Sequence, residues 1–147
     1  MNTDHNFSFE MILVMIIASI LAGFLSTMNV YSSSFSDISV HINDAYMVLL
    51  MVSWMMLFYG LYINNTSLIV VFFVLVLALF YCIRKQVYID DVQYLRGMVP
   101  HHSMAIMMSE RILEKTEDEK VKVLARNIMD GQQKEINLMN EILDSKN

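Results

Sequence analysis

The run LIVVFFVLVLALFYCI, residues 68–83, carries no charge and is followed at once by Arg84 and Lys85. A helix that crosses the hydrocarbon core of a bilayer needs roughly 17–25 mostly apolar residues, so this run spans if Ser67 or Arg84 sits at the interface. Working backward, Ala45–Ile63 and Met11–Met28 are two further apolar runs of spanning length. Met11–Met28 lacks the basic flank and small-residue cleavage site of a signal peptide and reads as a retained span. Working forward, the composition changes abruptly: all ten Lys and Arg residues lie at or after Arg84, while Asp4, Glu10, Asp37 and Asp44 are the only charged residues before it.

The chain therefore divides into a transmembrane region, residues 1–85 with spans at about 10–30, 45–63 and 67–84, and a helical domain, residues 86–147. Between the first two spans, YSSSFSDISVHIND reads as a solvated loop, because serine and aspartate satisfy backbone groups locally. NNTS, between the second and third, allows only a turn. Neither half is basic enough for nucleic acid.

In the C-terminal domain, Thr116 and Glu119 have the spacing of a capping box, which predicts a helical hairpin bent at KTEDEK, residues 115–120. Val121, Leu124, Ile128, Met139 and Ile142 form the expected apolar stripe of the second helix. With the bend centred near Glu117, His101 falls level with Gln133 and Met98 with Ile136, and both histidines can reach Glu135. Tyr94, Met98, His101, His102, Ala105, Met108 and Ile112 share a broad face of the first helix. Pro100 is expected to restart or kink that helix just before the histidines, because proline removes a backbone donor and clashes with the preceding turn.

Imidazole and thioether donors together make a soft-to-borderline ligand set, and thioethers favour monovalent copper or silver. The candidate ligands are Met98, His101, His102, Met104, Met108, Glu135 and Met139. Met107 points to the other side of its helix. Against this stands the reading of methionine as an adaptable core filler, with the histidines buried and hydrogen-bonded. Glu-x-x-His and His-Glu-x-x-His pairs, a phosphate loop and paired-cysteine motifs are absent from the sequence. Cys82 reads as a small hydrophobe, and no catalytic residue or enzyme activity is expected. Met47, Met51 and Met55, with Met11 and Met15, suggest a thioether relay through the bilayer, although packing explains them more simply. His41 and Asp44 read as a loop end or as an outer ligand pair.

The segments DDVQYLRGMVPHHSMAIMMSERIL and ARNIMDGQQKEINLMNEIL closely resemble the domain of unknown function 305 family. Its hallmarks are Met-x-Pro-His-His-x-Met-Ala-Ile-x-Met and, one helix later, Gln-Gln-x-Glu-Ile-x-x-Met. Here these fall on Met98, Pro100, His101, His102, Met104, Ala105, Ile106 and Met108, then on Gln132, Gln133, Glu135, Ile136 and Met139. The resemblance covers residues 90–143, and the spans look like the membrane-bound branch of the family. It implies a ferritin-like hairpin that associates into a four-helix bundle, and copper or silver binding or tolerance in some members. Met107 departs from the acidic or polar residue common there.

The expected protein is thus all-α, membrane-anchored, a homodimer in its simplest form, and a binder of copper(I) or silver ion. The alternative is a structural or regulatory membrane protein whose bundle only oligomerises. A bacterial plasma membrane is the expected location. Arg84, Lys85 and Arg96 favour a cytoplasmic C-terminal domain; a thiol-free thioether site favours the oxidising side, which is the side expected here.

Overall fold

The computed structural model describes residues 9–146, and the described residues contain helices and loops but no strand. The helices are α1 (Phe9–Leu25), α2 (Ile42–Tyr62), α3 (Thr66–Lys85), α4 (Asp91–Leu113) and α5 (Glu119–Lys146), with two short 3-10 turns between α1 and α2. The all-α expectation holds. Three stretches, Ile12–Tyr31, Ile42–Tyr62 and Thr66–Lys85, are long and apolar enough to cross a membrane. The chain forms two compact units. One comprises the described residues up to Leu25 with Asp44–Val87; the other comprises Ser26–Asn43 with the described residues from Tyr88 onward.

In the first unit, Gly23 lets α1 approach α2 closely: a Cβ there would lie 2.8 Å from Val48 Cγ1 and 3.0 Å from Met51 Cε. Small residues at such crossings are how apolar helices pack without a hydrophobic driving force. Ser19 and Ser53 satisfy their hydroxyls inside their own helices, donating to the Met15 and Leu49 carbonyls at 2.7 Å. NNTS makes the expected turn, with Asn65 capping α3 by accepting from the Leu68 N–H at 3.1 Å. Val70, Val71, Phe73, Val74 and Leu77 are exposed on α3. An apolar face of that extent suits lipid rather than water. Met47, Met51 and Met55 line one outward groove of α2 beside Trp54 and Phe58, while the Met11 side chain lies outside the described residues.

The second unit is built on the α4/α5 hairpin. Leu95, Val99 and Ile106 of α4 bury against Ile136 and Met139 of α5, with Met98, Met129, Ile142 and Leu143 packed around them. The Lys146 ammonium and the Asp91 carboxylate, 3.0 Å apart, tie the last turn of α5 to the first turn of α4. Three details differ from the sequence reading. The residue that caps α5 is Asp118, whose side chain accepts from the Lys120 N–H at 2.8 Å, while Thr116 accepts from the Asp118 N–H. Aspartate one residue from the first helical turn caps better placed donors than a threonine two residues further out. The packed face of α5 runs through Ala125, Ile136 and Met139, leaving Leu124 59% exposed, because α4 meets the helix along a line about one residue round from the expected stripe. Finally, of the two alternatives at Pro100, the restart is excluded, because α4 continues through the fully buried proline.

The largest difference is the loop before α2, which is not simply solvated but is clasped to α4. Ser103 is completely buried; its hydroxyl donates to Asp37 Oδ2 at 2.7 Å and accepts from the Ser33 N–H at 2.9 Å. Asn29 brackets Ser39, donating to its carbonyl at 2.8 Å and accepting from its N–H at 3.0 Å. Gln93 Oε1 accepts from the Ile42 N–H at 2.9 Å, satisfying a donor that the start of α2 leaves without a helical partner. His41 is buried with its ring lying over Gly97, where a Cβ would sit 3.3–3.4 Å from three imidazole atoms. His41 and Asp44 are both buried rather than at a solvated loop end.

Ser103→Ala removes the shared partner of Asp37 and Ser33. Leaving a buried polar group unsatisfied costs about 1–3 kcal/mol. The variant is expected to melt at lower temperature and to be cut by protease within residues 26–43 sooner than the parent. Equal cutting rates would show that the clasp contributes nothing.

Candidate functional site

The hairpin register sets the site. The Lys146–Asp91 and His102–Glu135 pairs are each equidistant from the Asp118–Glu119 peptide, so the bend is centred there rather than at Glu117. Glu135 thereby lies level with His102. The His102 Nδ1 and Glu135 Oε2 atoms are 3.3 Å apart, with the imidazole 14% exposed and the carboxylate 56% exposed. At that separation the carboxylate attracts the ring only when the ring is protonated; the atoms are not aligned for a hydrogen bond, and the buried Nδ1 makes none.

Burial pushes the His102 pKa below its ordinary value of 6.5; the Glu135 charge opposes this and His101 adds to it. The ring is consequently neutral at pH 7 and keeps a lone pair, which is the form in which histidine binds a metal ion. His101, next in the chain, is exposed, and its ring centroid lies 6.2 Å from that of His102 at an interplanar angle of 64°.

The methionines fall in three settings. Met139 belongs to the buried core and Met98 packs against it; Met139 also follows Glu135 by one helical turn, on the same side of α5. Met104 is half-buried. Met108 is 56% exposed and, with Met107 and Ile112 of the same helix, borders an apolar groove at the bend end of the hairpin, with Val121, Leu124 and Ile128 of α5 on its other side. Gln133, expected level with His101, instead donates to Asn137 along its own helix at 3.0 Å.

Among the described residues, no three His, Cys, Asp or Glu side chains gather closely enough to hold a metal ion. An ion held by a single chain at His102 would need donors of other types, and thioether sulfur, which selects soft monovalent ions, is the one this hairpin is rich in. The fit is chemical: a neutral imidazole with an unused buried nitrogen, beside a helix pair rich in methionine.

The sequence reading missed Ser33, Asp37, Gln93 and Ser103, which fix the loop to α4. Ser103 offered one signal, a small polar residue at the centre of an otherwise apolar face. Its partners lie 66 and 70 positions away, beyond any local pattern.

The fold and site define a helical protein with three membrane-length apolar helices and a methionine- and histidine-rich hairpin. The pattern described as Domain of unknown function (DUF305) matches residues 91–147, and the chain belongs to that family. It is 50% identical over 143 residues to the uncharacterized protein L153 of Acanthamoeba polyphaga mimivirus, an alignment that covers 93% of each chain. No solved structure matches the chain.

Proposed function

We propose that the protein is a membrane-anchored binder of soft metal ions, copper(I) or silver, acting as a buffer or metallochaperone rather than an enzyme. The observation that supports this reading is the buried, unbonded Nδ1 of a neutral His102 on a methionine-rich hairpin. His101, His102, Met98, Met104, Met108 and Met139 would supply the donors, with Glu135 balancing charge. The thioether donors would favour such a soft monovalent ion over hard cations such as magnesium or calcium. Copper(I) titration of the purified full-length protein tests the assignment, and the competing reading, a bundle that only oligomerises, expects no stoichiometric uptake.

In this proposal two hairpins associate into a ferritin-like four-helix bundle, because a two-helix layer leaves its second face uncovered. The C-terminal domain lies on the oxidising side of its membrane, since a site without thiols suits that compartment. The bilayer, expected above to be a bacterial plasma membrane, is proposed only as one bordering such a compartment, because the relative at 50% identity is viral. A cysteine placed at position 147 should react with an impermeant maleimide in intact cells; labelling only after lysis reverses the orientation.

A further inference from the structure

A polar crevice of about 410 Å³ opens in the second unit, between residues 36–39, α4 and α5. Its volume lies within the range of about 300–1,000 Å³ typical of small-ligand sites. Asp37, Arg96 and Asp144 line it together with Asn140 and Ser39. Asp37 is 8% exposed, accepts from Ser103 at Oδ2 and from Ser36 at Oδ1, and is held in place by the clasp to α4. A carboxylate has about four acceptor positions, so roughly two remain for another donor.

Three charges therefore line one crevice without neutralising one another. Among the described residues, neither Asp37 nor Asp144 has a Lys, Arg or His nitrogen within ion-pair distance, and the Arg96 guanidinium has no hydrogen-bond or ion-pair partner. Asp37 is a buried carboxylate without a counter-charge, which is costly, whereas Arg96 and Asp144 are exposed, and the guanidinium fork suits a planar oxyanion. The Asn29 and Ser103 bonds fix the loop wall that carries Asp37. A bare anion entering the crevice meets two carboxylates, and a bare amine meets the guanidinium; a molecule that carries both charges satisfies all three.

We infer that this crevice binds a small zwitterion, its ammonium group taken by Asp37 and Asp144 and its oxyanion by Arg96. The same ammonium-and-oxyanion chemistry exists in a free metabolite and in an ethanolamine lipid headgroup. The site is separate from the methionine and histidine cluster, so its test is independent of the metal assignment.

The probe is O-phosphoethanolamine, titrated calorimetrically into the full-length protein in micelles. Saturable binding is expected, weakened by at least about tenfold in Arg96→Gln and in Asp144→Asn, as loss of a charge-assisted hydrogen bond predicts. Among the described residues neither side chain makes a hydrogen bond or ion pair, and circular dichroism verifies that each variant keeps its helices. Phosphocholine, whose nitrogen has no N–H to donate, and inorganic phosphate should each bind at least about tenfold more weakly. Protection of residues 26–43 from protease in phosphatidylethanolamine nanodiscs but not in phosphatidylcholine nanodiscs assigns the site to a lipid headgroup; protection by the soluble probe alone assigns it to a free molecule. Absence of saturable binding at millimolar probe overturns the inference, as does equal binding of phosphate or unchanged affinity in a folded Arg96→Gln variant.

Discussion

Replacing His101 and His102 together by alanine is expected to weaken copper(I) binding by the full-length protein by more than about 100-fold. Loss of a residue that merely supports a metal ligand typically costs 10–100-fold, and here both nitrogen donors are removed. The measurement is competition against a chromogenic copper(I) chelator. Silver should compete, and zinc should not, because thioether donors favour soft monovalent ions. Affinity should also fall on acidification, since protons and metal compete for the same imidazole nitrogen. For His102 the loss begins at lower pH than for an ordinary histidine, because burial holds its pKa below 6.5. Met108→Leu separates ligand from packing: the side chain is 56% exposed, and a near-isosteric swap costs little stability. Unchanged affinity in the double histidine variant would make the cluster a packing feature and leave the oligomerising bundle as the better reading.

How much of this was legible in the sequence follows from the range of the interactions. The three spans could be read from Met11–Met28, Ala45–Ile63 and Leu68–Ile83 because length and apolarity are properties of a single segment. The hairpin was legible for a similar reason: one bend between two helix-forming stretches fixes which residues lie level. A shift of the bend centre from Glu117 to the Asp118–Glu119 peptide then decided that Glu135 faces His102 and that His101 stays exposed. Thr116 and Asp118 are both good capping residues, and their spacing alone does not choose between them. The clasp was illegible, because Asp37 and Ser103 meet only after α2 and α3 have been traversed. A serine-rich loop carries the same local signal whether it ends in water or against a helix. At Pro100 the local penalty predicts a restart or a kink; α4 continues through the buried proline, so the helix does not restart there.

Leu124→Asp combined with Ile128→Asp is expected to dissociate the protein into monomers or to unfold the hairpin. The groove that Leu124 and Ile128 border with Met107, Met108, Ile112 and Val121 has a volume of about 500 Å³, and Leu124 is 59% exposed in the single chain. Burying one Leu or Ile side chain contributes about 1.5–3 kcal/mol, so two carboxylates placed there remove that contribution and add a desolvation cost. A domain of roughly 60 residues has little stability to spare. Light scattering of the solubilised protein, corrected for detergent, reads the mass, and circular dichroism separates dissociation from unfolding. A parent protein that is already monomeric with full helicity would sink the bundle. The same variant also bears on the metal site, since no three His, Cys, Asp or Glu side chains gather among the described residues of one chain. If a second hairpin completes the coordination, copper(I) affinity falls together with the mass. A folded monomer that binds copper(I) as tightly as the parent places every donor on one hairpin, which leaves His101, His102 and the methionines of a single chain as the whole site.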